Sequence, residues 1–149
     1  MRPRPWQLAA ALALVAGAAG ALVAVWPAGS RAGGGEARTV VVTMHHSRFQ
    51  PAEVRVAPGE RVRFVLRNSD PIDHEFILGD AIVQARHEQG GQRRHHGDVA
   101  GERSVPAGQE AATTYAFPAT LAGRTLEFAC HLPGHYAYGM HGTVRVSGR

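Results

Sequence analysis

Residues Arg61–Asn68 alternate regularly enough to fix the kind of fold around them: Val62, Phe64 and Leu66 fall on one side of an extended chain, and Arg61, Arg63 and Arg67 on the other. Side chains along a strand point alternately to its two faces, so this run reads as a half-buried antiparallel strand with one face on a core and the other in water. Six more short runs follow the same logic, at residues 39–44, 53–56, 75–78, 113–117, 125–130 and 142–146, with turn residues such as Pro58-Gly59 between them. Seven strands with few convincing helices predict an all-β sandwich. Between residues 79 and 112 the pattern breaks into Gln, Gly, Arg and His, a connection far longer than the usual few residues. Within it, Asp80 is placed to cap a short helix running through Gln89 and stopping at Gly90-Gly91.

The chemistry is concentrated near the carboxyl end. There the chain reads Cys130-His131-Leu132-Pro133-Gly134-His135-Tyr136-Ala137-Tyr138-Gly139-Met140, and 56 residues before the cysteine it reads Asp73-His74-Glu75-Phe76. A thiolate, two imidazoles and a thioether form the donor set of a mononuclear type 1 copper centre. The spacing has a mechanical reason. Cys130 ends one strand, a single loop presents His135 and then Met140, and the next strand starts at Gly142. His74 arrives from an earlier strand end, and Pro133-Gly134 with Gly139 supply the turns of the loop.

At these residues the chain resembles the cupredoxins, and within them the rusticyanin-like and small periplasmic copper-tolerance proteins with Cys-x4-His-x4-Met spacing. The resemblance is strongest in Phe49-Gln50-Pro51, in His74-Glu75-Phe76 and in the loop from Cys130 to Gly142. It implies a Greek-key β-sandwich of about seven to eight strands over residues 39–149, with one long inserted loop. By position it makes His74, Cys130 and His135 equatorial ligands and Met140 the axial one. The implied cofactor is one type 1 copper, blue or green, cycling between Cu(I) and Cu(II) to pass single electrons to a redox partner protein. The alternative within the same resemblance is copper binding for tolerance or storage. Other copper chemistries are excluded by single positions: Gly134 stands where a binuclear centre needs a second cysteine, and Ala129, not histidine, precedes Cys130. The chain is therefore read as a non-enzyme.

Histidine is unusually frequent, with nine in 149 residues beside three Met and one Cys. A single cysteine excludes an internal disulfide, a zinc ribbon and an iron–sulfur cluster. His131 and His141 are expected to flank the centre. His45 and His46 beside Met44, together with His87, His95 and His96, are candidates for a second, more exposed copper site, since imidazole and thioether suit copper. Solvated loop histidines are the plainer reading of each cluster.

The amino terminus reads as a targeting segment. Arg2 and Arg4 are followed by an uncharged run of Ala, Leu, Val and Gly from Trp6 to Pro27. Residues 1–28 are thus a signal peptide or an uncleaved membrane-anchor helix, and 29–38 a Gly-rich linker. Both alternatives export the remainder to a periplasmic or other extracytoplasmic space, touching the membrane only through this segment if it is retained. The formal net charge of +4 comes mostly from this end, since beyond Arg38 twelve arginines face eleven acids. A nearly neutral domain lacks the clustered surplus cations that phosphate binding needs, so nucleic acid is not an expected partner.

Overall fold

The computed structural model describes residues 36–90 and 98–148. The expected signal or anchor (1–28), most of the linker, and His95 and His96 lie outside them. In chain order the elements are β1 (Arg38–Met44), β2 (Phe49–Gln50), β3 (Glu53–Val56), β4 (Arg61–Asn68), β5 (His74–Gly79), α1 (Ala81–Glu88), β6 (Glu102–Val105), β7 (Glu110–Ala116), β8 (Thr125–Ala129) and β9 (His141–Val146). They form two sheets, β2-β1-β4-β7 and β3-β9-β8-β5-β6. Sheets of this kind stack face to face with their inner side chains interdigitating, which is the sandwich expected from the alternation.

Along β4, Val62, Phe64 and Leu66 are fully buried while Arg61, Arg63 and Arg67 are exposed. Its pairing is mixed rather than purely antiparallel: Phe64 lies opposite Val40 of parallel β1 and opposite Thr113 of antiparallel β7. β9 is likewise parallel to β3 and antiparallel to β8. The core is aromatic at its centre. Phe76 stacks on Phe128 at 5.1 Å, Phe49 meets both edge-on, and Phe64 packs 5.2 Å from Phe76. Each such pair contributes about 0.5–1.5 kcal/mol beyond the area it buries.

The described parts of the 79–112 connection, residues 79–90 and 98–112, carry more regular structure than the sequence pattern suggests. All six positions of β5 are buried, because α1 lies against the outer side of the sheet at β5 and β8. Asp80 caps the helix, its carboxylate accepting from the amides of Ile82 and Val83. The Gln84 amide nitrogen then donates to the carbonyls of Ile77 (3.1 Å) and Glu127 (2.8 Å), pinning α1 across two strands. After the helix the chain returns as β6, with Val105 opposite His74. This strand escapes pattern reading because its apolar content is one valine, while Glu102 is buried against Arg86 at 2.8 Å. β2 escapes it because two residues carry no period. Among the described residues the sandwich thus has nine strands instead of seven to eight, and the inserted connection carries a helix and a strand. Among the described residues no helix is long and apolar enough to cross a membrane.

Candidate metal centre

Three donor side chains from two parts of the chain meet at one end of the sandwich. Ligand atoms of His74, Cys130 and His135 all lie within 4.8 Å of one another, and among the described residues this is the one such group of His, Cys, Asp and Glu. His74 opens β5, and Cys130 directly follows β8, which pairs with β5 through Ile77 opposite Ala129. Strand pairing therefore sets the distance between residues far apart in sequence. His135 sits in the loop between β8 and β9, which is closed by two backbone bonds: the Cys130 amide donates to the Met140 carbonyl (3.1 Å) and the Met140 amide to the His135 carbonyl (3.0 Å). Gly134 and Gly139 take φ of 85° and 87°, which a glycine adopts without strain. Met140 is fully buried in the same apolar cluster as Cys130.

The donor atoms fit a metal ion. The two imidazole Nδ1 atoms are 3.2 Å apart, and Cys130 Sγ is 3.1 Å from His135 Nδ1. Two nitrogens each about 2.0 Å from a shared ion at a tetrahedral angle would be about 3.3 Å apart. A soft sulfur with two imidazoles selects copper or zinc over hard cations.

Protonation is set by what surrounds each donor. His74 Nε2 lies 2.8 Å from the carboxylate of Asp70, an acceptor, so Nε2 carries the proton and Nδ1 is free for a metal. Burial raises the Asp70 pKa, but the Ser47 amide, His74 and the His46 amide outweigh it and hold the group at about 2. Asn68 orients Asp70 in turn, accepting its amide at 2.9 Å. Burial pushes the Cys130 thiol up to about 12; the amides of Glu75 and Leu132 oppose the rise and the Glu75 charge adds to it. At neutral pH Cys130 therefore becomes a thiolate only when a cation replaces its proton. The Glu75 amide, 3.4 Å from Sγ, is then placed to stabilise that charge. Burial and the neighbouring His74 lower the His135 pKa against the pull of Asp70, favouring the neutral, ligating imidazole.

The other described histidines lie apart from this group. His131 turns beneath α1, its side chain buried between Glu88 (2.8 Å) and the Gln84 carbonyl oxygen (2.7 Å) and stacked on Tyr136. His141 is half-exposed, 3.4 Å from Glu127. His87 is also buried, with Nδ1 2.8 Å from the Val83 carbonyl oxygen and Nε2 3.4 Å from Glu102. It belongs to the underside of α1 and not to an exposed cluster. His45 and His46 are exposed and side by side. Sequence reading missed Asp70 and Asn68 as supports of His74, because nothing local marks a carboxylate that acts through a loop fold.

The family model for copper binding proteins of the plastocyanin/azurin family matches residues 36–147. The copper-resistant cuproprotein CopI of Rubrivivax gelatinosus is 42% identical over 113 residues, covering 73% of this chain and 66% of the relative, just under two thirds of its length. The protein of the same name from Pseudomonas aeruginosa is 34% identical over 140 residues, covering 73% and 76%. Among solved structures, auracyanin B superposes with a TM-score of 0.60 at 24% identity over 77% of this chain and 92% of that one. Reduced auracyanin from Roseiflexus castenholzii gives 0.61 at 21% identity over 76% and 99%. At these identities the structural likeness establishes the cupredoxin fold.

Proposed function

Since the chain belongs to the plastocyanin/azurin family of copper-binding proteins, we propose that it holds one type 1 copper through His74, Cys130, His135 and Met140 and passes single electrons to a redox partner protein outside the cytoplasm. The observation that carries this reading is the convergent set of one thiol and two imidazoles, with Cys130 and His74 buried and His135 partly exposed. When bound, copper supplies a one-electron couple between Cu(I) and Cu(II). The chain's part is to keep one geometry for both states. Asp70 fixes the His74 ring, the two backbone bonds between residues 130, 135 and 140 fix the loop, and burial excludes water from the sulfur. In this reading the chain is not an enzyme, since Ala129 and not a histidine precedes Cys130 and the sequence holds no His-x-His motif.

A second reading is favoured by the relatives, which are named copper-resistant cuproproteins: the same site would serve copper tolerance or storage, in the periplasm. Voltammetry of the copper-loaded protein tests the first reading. A reversible one-electron wave is expected, displaced to higher potential in Met140→Leu because a weak donor to Cu(II) is lost. An irreversible wave would contradict electron transfer, and an unmoved potential would remove Met140 from the ligand set.

A further inference from the structure

The chain between β1 and β2 turns in a way that calls for an explanation. His45 and Arg48 exchange backbone hydrogen bonds (3.0 and 3.1 Å), leaving His46 and Ser47 as the two central residues of a hairpin, both with φ of 51°. Hairpin loops with positive φ at both central residues favour Asn-Gly, and an L side chain there is strained by about 1–3 kcal/mol. Elsewhere among the described residues this chain puts glycine at every positive-φ position. Only here does it place side chains. The conformation is held from beneath by the buried Asp70, which accepts the His46 amide on Oδ1 (2.7 Å) and the Ser47 amide on Oδ2 (2.8 Å).

The turn juxtaposes two imidazoles. Successive side chains of an extended strand diverge to opposite faces, yet the rings of His45 and His46 lie 3.8 Å apart, both exposed. His45 Nδ1 faces Ser69 Oγ at 3.0 Å and Asp70 Oδ1 at 3.7 Å. No described residue hydrogen-bonds to His45 Nε2 or to either ring nitrogen of His46. Met44 is not available as a further donor, being fully buried in the core.

We propose that His45 and His46 form a second, solvent-facing site for a divalent transition-metal cation, with Cu(II) preferred and water completing the coordination. Imidazole nitrogens suit copper, nickel and zinc, and copper binds tightest in that series. The ionised Asp70 offsets part of the added charge, and it also links the two sites, because its Oδ2 holds His74 Nε2 at 2.8 Å. Positive charge at the turn therefore favours the less positive, reduced state of the buried centre and raises its potential. The proposal rests on the reading of the buried centre for the choice of probe ion and for the expected change in potential, not for the binding at the turn itself.

The test uses the full chain already carrying one copper, titrated with Cu(II) supplied as its glycine complex and followed by equilibrium dialysis and electron paramagnetic resonance. One further equivalent is expected, weaker than the first, with a nitrogen-coordinated signal distinct from that of the buried centre. Its filling should raise the potential of that centre. In His45→Gln/His46→Gln the further equivalent should weaken at least tenfold, whereas in His95→Gln/His96→Gln it should remain. His46→Gly is the sharper variant, because it relieves the backbone while removing a ligand: thermal stability is kept or increased and the second ion is lost. Retention of the second equivalent in His46→Gly or in the His45/His46 variant overturns the proposal, as does its loss in the His95/His96 variant. Failure of the buried centre reads differently, as absence of the first copper.

Discussion

Asp70 shows how much of the centre depends on residues that are not ligands. Its folded pKa of about 2 lies below the ordinary 3.8, so its interactions stabilise the fold fully above about pH 4 and are lost as pH falls toward 2. Denaturant titrations of the metal-free protein should show that loss, and Asp70→Asn should be less stable at neutral pH by about 1–3 kcal/mol while losing the steep dependence between pH 4 and 2. An Asp70→Asn protein with parental stability and parental acid dependence would remove Asp70 from this role. At this scale the sequence was legible where residue type alone carries chemistry. A cysteine, histidines and a methionine at fixed spacing declare a donor set before any fold is known. Asp70 declares nothing, since it acts only once the turn after β4 brings it under both His74 and the hairpin at His46.

Among the elements, β9 is held in contact by the absence of a side chain. A Cβ on Gly142 would come within 2.4 Å of the Phe128 ring and 2.6 Å of the Ala52 carbonyl oxygen, at the point where β9 joins the loop carrying His135. Gly142→Ala is expected to destabilise by about 1–3 kcal/mol through overpacking. Gly148→Ala, with nothing within 4 Å, should be neutral. Thermal melts of the two variants check this, and equal midpoints would contradict the packing described. The strands were legible where apolar and charged residues alternate, as along β4. They were not legible in β6, where burial of Glu102 against Arg86 breaks the usual link between apolar content and the inside.

For the whole molecule, the pairing of β5 with β8 inside one sheet brings His74 to the Cys130 loop across 56 residues of sequence, and the intervening helix packs on the outer side of β5 without entering the donor group. Its seat was not legible, because it depends on Gln84 meeting two strand carbonyls that are distant from each other in sequence. The central claim is that copper is bound through the sulfur of Cys130 in this preformed pocket. Optical titration of the metal-free protein with Cu(II) tests it most directly. The parent should develop an intense visible thiolate-to-copper band that saturates at one equivalent, with release of the Cys130 proton, and Cys130→Ser should show no such band at any copper concentration. An equally intense band in Cys130→Ser would contradict the account.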